Sequence, residues 1–312
     1  MRILVTGSRG FVGRHLVQTL EERGHDIVQA DRTTAPGVSA FDVTDAAAVN
    51  AAIDAAAPDA IAHLAAQAFV PESQENPAAT LDVNVGGTLN VLEAVRRRHD
   101  RHPRTRVLLA SSAEVYGAQP AAAYPLAETA PPLPRNPYAA SKVAAESLAL
   151  AYAHSFGVDA VVTRAFNHIG PGQDVRFAVA DFASQLARIA SGGERLMLVG
   201  NLEASRDFLD VRDVCAAYAG LLEGNGAPGE IYNVCSGVAT TMKEVLRRLI
   251  MIGRVPVEVR EDPERMRAAD IPLSVGTAAK LRDATGWTPS IALGATLRAV
   301  YDDARSRLAV PS

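Results

Sequence analysis

The chain has 312 residues, of which 48% are hydrophobic and 21% charged, with a formal net charge of −4. This is enough chain for one large domain or two smaller ones with a core that needs no staples, and the acidic balance gives no global reason to bind nucleic acid. No apolar run reaches the roughly 18 residues that a membrane span needs, and MRILVTGSRG at the start is too short for a signal region.

The first half alternates strand and helix. RILVTG (2–7) reads as a strand and FVGRHLVQTLEERG (11–24) as a helix ending at Gly24. DIVQAD (26–31) is a strand, DAAAVNAAIDAAAP (45–58) a helix stopped by Pro58, and AIAHLAA (60–66) a strand. TLDVNVGGTLNVLEAVRRR (80–98) has the periodicity of one long helix. The basic run RRRHDRHPR (96–104) reads as a solvated helix C-terminus favoured by the dipole; no aromatic residues interleave it as a nucleic-acid surface would require. RVLLASS (106–112) is a strand, and the Ala/Pro-rich stretch 118–137 is a long loop of the kind that often serves as a lid. PYAASKVAAESLALAYAHSFG (137–157) is a helix opened by Pro137, and DAVVTRAF (159–166) a further strand.

These short apolar strands, separated by helices, predict an α/β fold: a Rossmann-type, doubly wound parallel sheet. Beyond residue 166 the alternation loosens. Helices are expected at 177–192, 211–224, 241–253 and from about Ala292, and strands at 195–200, 230–237 and 255–260. The expectation is a dinucleotide-binding domain over 1–166, to which 207–235 returns, and a smaller α/β substrate lobe made of 167–206 and 236–312. Cys215 and Cys235 lie far apart and form neither a zinc spacing nor a disulfide framework, so a reducing cytoplasm is expected, with no metal.

Gly7, Gly10 and Gly13 follow the first strand and open the first helix. Glycine there permits a tight turn and lets backbone N–H groups approach a pyrophosphate. Asp31 closes the second strand eighteen residues after Gly13, where a carboxylate accepts from ribose hydroxyls and favours NAD(H). The adjacent Arg32 suits a 2′-phosphate, so NADP(H) stays open. Asp42 either meets adenine or caps the following helix. Tyr138 and Lys142 share one helix face. A cation beside a buried phenol is expected to lower its pKa and fit it for proton transfer near neutrality.

TGSRGFVG (6–13), HLAA (63–66), NVGGT (84–88), SSAEVYG (111–117) and YAASK (138–142), in this order, resemble the extended short-chain dehydrogenase/reductases acting on nucleotide sugars. The resemblance runs to roughly residue 290. It implies Ser112 as the catalytic hydroxyl, Tyr138 as general acid/base and Lys142 on the nicotinamide ribose, leaving Ser111 as a strand-end residue and Tyr116 as packing. It further implies Arg9, Phe11, Val12, Val43, Leu64, Ala65, Ala66 and Asn84 at the cofactor, and Gln67 at the substrate. Family members often dimerise through helices near 88–98 and 138–154, so a homodimer is expected, although the Ala-rich second helix could equally cover the sheet.

TRAFNHIGPGQ (163–173), VGNLEASRDFLDVRDV (199–214) and YNVCSG (232–237) resemble the GDP-hexose branch of that family. The wording is nearer to its GDP-4-keto-6-deoxy-D-mannose reductases than to its 4,6-dehydratases. Asn167 offers an amide to a diphosphate, Arg206 and Arg267 offer guanidinium forks, and Val199 and Asn201 offer apolar and amide contact to a purine. The plainer alternatives are a local Arg206–Asp207 ion pair and a solvated Arg267. Glu114 occupies the position of the dehydratase base, but Ala113 before it cannot donate a proton and the reductases also keep the glutamate. The expected role of Glu114 is a carboxylate against the hexose with residual acid/base capacity. The reaction expected is reduction of the C4 ketone of a GDP-4-keto-6-deoxyhexose, giving GDP-D-rhamnose or GDP-6-deoxy-D-talose. A GDP-mannose 4,6-dehydratase is the alternative, and a non-catalytic dinucleotide sensor the reading from another class. His63 is expected in the core, and His168 as a support for the Asn167 loop.

Overall fold

The structure, a computed structural model, describes residues 1–98, 105–266 and 271–309. Arg267 and residues 99–104 of the basic run lie outside the described residues.

From the N-terminus, β1 (Arg2–Thr6), α1 (Phe11–Glu22), β2 (Asp26–Asp31), β3 (Val38–Ala40), α2 (Ala46–Ala56) and β4 (Ala60–His63) follow in turn. Two short helices, α3 (Val70–Glu75) and α4 (Pro77–Leu81), lead through a π turn at Asp82–Gly86 into α5 (Gly87–Arg98). β5 (Arg106–Ser112) runs into a 3-10 turn at Ala113–Tyr116, and α6 (Pro137–Phe156) leads to β6 (Ala160–Ala165) and β7 (Asn167–Ile169). Then come α7 (Ala178–Ala190), β8 (Leu196–Val199), β9 (Ser205–Asp210), α8 (Val211–Leu222) and β10 (Glu230–Val234). The C-terminal part adds β11 (Ala239–Thr241), α9 (Met242–Gly253), β12 (Glu258–Glu261), β13 (Leu273–Ser274), α10 (Ala279–Thr285) and α11 (Leu293–Ala309).

Seven parallel strands form one sheet in the order β10-β6-β5-β4-β1-β2-β3. The doubly wound expectation is met. The strands read as continuous apolar runs because both faces are covered. One face packs Ile3, Val5 and Leu108 against Leu16 and Leu20 of α1 and Val214 and Tyr218 of α8. The other packs Leu4, Ile61 and Leu109 against α2, α5 and α6 through Ile53, Leu92 and Ala149. The Ala-rich face of α6 therefore covers the sheet. The order reverses between β1 and β4, and the C-terminal ends of those strands open the crevice where ligands of such sheets sit.

The segment 207–235 divides. α8 packs on α1, and β10 is the outermost strand of the large sheet. β9 instead belongs to a smaller sheet, antiparallel to β11 and parallel to β7 and β13. Its position is set by Asp207, which is buried and accepts from Ser236 N (2.7 Å), Ser236 Oγ (2.6 Å), Gly237 N (2.9 Å) and Gly276 N (3.4 Å). Alternation along β9 turns Arg206 the other way, and the local Arg206–Asp207 pair does not form among the described residues. A second core joins α7, β8, α9 and α11 through Phe182, Leu186, Met197, Val245 and Leu297.

The single helix expected over 80–98 is broken by the π turn. That turn carries Asn84, whose amide is bonded to Gln67 and Ser141. Gly87 follows it where an added Cβ would come within 2.7 Å of Val43 Cγ2. β3, β7, β11 and β13 were not expected, since strands of two or three residues have no period to read.

Asp207→Ala strands three backbone N–H donors in a buried site. It is expected to cost roughly 3 kcal/mol, read as a lower urea midpoint at unchanged m-value.

Candidate active site

A cleft of about 2100 Å³ runs from the Gly-rich turn, past the ends of β4, β5 and β6, to the second lobe. Its first wall is the turn itself. Gly7 has φ +68°, and a Cβ on it would sit 2.9 Å from Ala65 N. A Cβ on Gly13 would sit 2.1 Å from Gly7 O, so helix and strand meet at a distance only glycine permits. α1 is preceded by Gly10 at its N-cap, with no side-chain cap and no acid in its first turn, leaving its N–H groups and positive dipole end to an anion. Arg9, Phe11 and Val12 line the same wall, as do Leu64, Ala65 and Ala66 at the end of β4. These features fit a dinucleotide pyrophosphate.

At the end of β2, Asp31 lines the cleft with both oxygens engaged, Oδ2 by Arg9 N (3.1 Å) and Oδ1 by Thr33 N (3.0 Å). Arg9 and Arg32 line the same cleft. Asp42 also lines the cleft, with Val43, and accepts from Thr44 N and Thr44 Oγ1, which lowers its pKa. It is not the helix cap; Asp45 caps α2 by accepting from Ala47 N and Ala48 N.

The central wall holds Ser112, Glu114 and Tyr138. Ser112 ends β5, and its Oγ accepts from Glu114 N at 3.2 Å, which leaves the hydroxyl hydrogen free to donate elsewhere. Tyr138 sits in the first turn of α6, which Asn136 caps by accepting from Ala139 N (2.8 Å). Tyr138 N donates to Ser73 Oγ of α3 (3.2 Å). Burial pushes the Tyr138 phenol up to about 12, with the Ser112 hydroxyl pulling it down and the Glu114 charge adding to the rise. The expected lowering by lysine is therefore corrected. Lys142 Nζ lies 5.9 Å from the Tyr138 ring centroid and donates to Ala110 O (2.8 Å), one layer behind the cleft wall. Burial lowers Lys142 to about 8, against the charge of Glu146, which raises it.

Glu114 accepts from Asn136 Nδ2 at 3.4 Å and faces the cleft beside Ala113. On the second lobe, Asn167, Asn201 and Arg206 line the far wall. Arg206 donates to Ile271 O (2.5 Å) and Ser205 O (3.0 Å). The dinucleotide turn is tied to the loop after β7 by Arg14, which donates to Arg9 O (3.1 Å) and Gly172 O (3.0 Å), and by the stacking of Phe11 on His168.

Besides Lys142, two expected contact residues stand back from the cleft. Val199 is fully buried in the second core, because alternation in β8 turns it inward, while the next residues, Gly200 and Asn201, face the cleft. Asn84 lies behind Gln67 and holds it: Gln67 N donates to Asn84 Oδ1 (2.8 Å) and Asn84 Nδ2 to Gln67 O (3.0 Å). His63 is buried as expected. Its Nδ1 meets Thr6 Oγ1 (2.9 Å), its Nε2 has no partner among the described residues, and burial lowers its pKa to about 3. Asn136 was missed, although Asn-Pro before the tyrosine is a legible cap signal. A clasp across the cleft was also missed: Arg176 lies 4.8 Å over the Phe69 ring and 3.7 Å from Glu72, and Phe177 meets Phe69 edge to face. No local pattern links those two segments.

The family described as GDP-mannose 4,6 dehydratase matches residues 4–300. A GDP-6-deoxy-D-mannose reductase of Pseudomonas aeruginosa is 42% identical over 98% of both chains. A GDP-6-deoxy-D-talose 4-dehydrogenase of Aggregatibacter actinomycetemcomitans is 31% identical over 92% of each. Among solved structures, RMD from Pseudomonas aeruginosa complexed with NADPH superposes with a TM-score of 0.88 at 40% identity, covering 98% of this chain and all of that one (100%).

Gly13→Ala would drive a methyl into the Gly7 carbonyl. The expected result is a loss of about 3 kcal/mol of stability, with the dinucleotide-binding turn displaced; thermal melting with and without NADPH reads both effects.

Proposed function

The chain belongs to the GDP-mannose 4,6-dehydratase family of extended short-chain dehydrogenase/reductases, and from that premise we propose that it reduces the C4 ketone of GDP-4-keto-6-deoxy-D-mannose with NAD(P)H to give GDP-D-rhamnose. The observation that carries the reading is the meeting of Ser112 and Tyr138 in one cleft between the glycine turn and the second-lobe residues Asn167 and Arg206. The name of the 42% identical relative supports the substrate and product.

The dinucleotide would be held by the turn at Gly7–Gly13, with Asp31 for its adenosine ribose and Lys142 for its nicotinamide ribose. When bound in reduced form it supplies the hydride for C4. The carbonyl electron pair then moves onto O4. Ser112 donates a hydrogen bond to that oxygen, and Tyr138 gives it the phenolic proton. A phenol held near 12 is fully protonated at neutral pH, the state a proton donor to O4 must be in. Lys142 carries the positive charge that steadies the resulting phenolate. Asn167 and Arg206 hold the diphosphate, Asn201 meets the guanine, and Glu114, steadied by Asn136, accepts from hexose hydroxyls. Gln67 contacts the hexose through the loop that Asn84 holds.

Both cofactor forms belong to the reading. Asp31 suits the unphosphorylated ribose, while Arg9 and Arg32, which line the same cleft, suit a 2′-phosphate; the similar RMD structure is complexed with NADPH. Residues 1–166 with 211–235 and α10, whose Leu281 packs in the core shared with α1 and α8, form the dinucleotide lobe, and the remainder, now including β9, the GDP-hexose lobe. A homodimer through the outer faces of α5 and α6 is part of the proposal, supported by exposed Leu89 and Phe156. So is a cytoplasmic location, in keeping with two buried free cysteines. Among the described residues no helix is long and apolar enough to cross a membrane, and no cluster of potential metal ligands is present.

A 4,6-dehydratase is the second reading, favoured by the placement of Glu114 in the cleft. Incubation with GDP-mannose alone separates the two: accumulation of a 4-keto product overturns the reductase. Offered a 4-keto-6-deoxy sugar nucleotide with NADH or NADPH, the protein is expected to yield a 6-deoxyhexose of the rhamno configuration by NMR. The talo epimer would place the opposite hexose face toward the nicotinamide. Tyr138→Phe is expected to cut kcat by about a hundredfold or more with NADPH affinity little changed. A variant that keeps its turnover would remove Tyr138 from the mechanism.

A further inference from the structure

Behind the cleft wall lies a buried ion pair that the reaction does not touch. Glu146, one helical turn beyond Lys142 on α6, meets Arg164 of β6 through two forked contacts, Nη2–Oε2 at 2.7 Å and Nε–Oε1 at 3.0 Å. Both side chains are 3% exposed. Glu146 Oε1 also accepts from Ser111 Oγ at 2.5 Å. Ser111 and Arg164 are paired neighbours in the β5–β6 ladder, so one carboxylate grips two strands at their C-terminal ends. Arg164 in turn lies 4.7 Å over the Tyr116 ring, and Tyr116 Oη donates to Asn233 Oδ1 of β10 at 2.7 Å.

The consecutive residues Ala110, Ser111 and Ser112 make the consequence specific. Ala110 O receives Lys142 Nζ, Ser111 donates to Glu146, and Ser112 faces the cleft. α6 thus holds the end of β5 at two successive residues, and its first turn carries Tyr138. Ser112 and Tyr138 are thus carried on two elements that this double grip joins. Sequence alone assigned Ser111 only to the strand end.

Resting on the reading of Ser112, Tyr138 and Lys142 given above, we propose that Glu146 is a positioning residue of the reaction, which registers the Ser112 end of β5 against α6 through Ser111 and holds its carboxylate one helical turn from Lys142. A buried ammonium next to a carboxylate keeps its proton to higher pH than the same ammonium beside a neutral amide. Other charged or titratable groups around Lys142 are few. Tyr138 shares its helix and is a protonated phenol. His63 of β4 is neutral, its pKa near 3, and feels the Lys142 charge. Glu114 of the 3-10 turn acts on Tyr138, Arg164 of β6 is neutralised by Glu146 itself, and Tyr218 of α8 is a buried phenol held well above its usual range. Glu146 is the group that raises Lys142 against burial.

Three variants test this. Glu146→Gln keeps an acceptor for Ser111 but removes the charge; kcat is expected to fall about tenfold with KM for the keto sugar within about twofold, and the alkaline limb of the kcat profile to move about one pH unit lower. Ser111→Ala leaves the ion pair intact; kcat is expected to fall about fivefold with the alkaline limb unmoved. Glu146→Gln/Arg164→Gln removes both charges and is expected to move the limb less than Glu146→Gln does, because no unpaired guanidinium is left near Lys142. A folded Glu146→Gln with wild-type kcat and wild-type limb overturns the proposal. If that variant does not fold, Ser111→Ala decides the positioning role, and wild-type kcat there overturns it. Wild-type turnover in the same assay carries the functional reading separately. Should the wild type fail to reduce the sugar, the Lys142 limb is read instead in the pH dependence of NADPH binding by nicotinamide fluorescence, where an unmoved limb in Glu146→Gln overturns the proposal by itself.

Discussion

Lys142 donates from a buried ammonium to Ala110 O, and one turn along the same helix Glu146 takes the hydroxyl of Ser111. Those two contacts fasten α6 to the end of β5, and the rest of the site follows from them. Ser112 is the next residue of the strand, and Tyr138 opens the helix. Neither hydroxyl could hold a fixed separation if strand and helix slid against each other. The grip also reaches across the large sheet, since Arg164 extends it through Tyr116 to Asn233 of β10, an edge strand of that sheet.

Burial has opposite consequences for the two groups of the tyrosine–lysine pair. It raises the phenol to about 12 and lowers the ammonium to about 8. A sequence pattern invites the thought that the cation acidifies the phenol. Here desolvation decides the shift, and Lys142 donates to the backbone of β5. The result suits reduction, in which the phenol must start protonated, better than abstraction of a proton by a phenolate. Glu114 is the remaining carboxylate at the centre of the cleft, and its neighbour Ala113 offers no proton, so the residues for an elimination are only half present.

The dinucleotide side and the sugar side are coupled by packing. Arg14 bridges the glycine turn to Gly172, Phe11 stacks on His168, and Arg176 reaches across to Phe69 and Glu72. The Gly172 and His168 contacts fall within the stretch FNHIGPGQ, whose resemblance to GDP-sugar enzymes carried the substrate assignment. The conformation of that stretch is thus held partly by the helix that opens the cofactor site.

Reading residues in order determined the large sheet and the glycine turn and pointed to Asp31, Tyr138 and Lys142, because each depends on local signals: apolar runs, a turn that only glycine fits, and two side chains one helical turn apart; Ser112 came from the resemblance to the family. The short strands of the second lobe were not legible, since two or three residues have no period, and neither was the retreat of Val199 and Asn84 from the cleft. Tertiary structure alone decided the sign of the Tyr138 shift, the opposite facing of Arg206 and Asp207 in their actual sheet, and the meeting of Arg176 with Phe69. These depend on how much water is excluded and on which distant segments are brought together. Such quantities belong to the packed chain and to no window of its sequence.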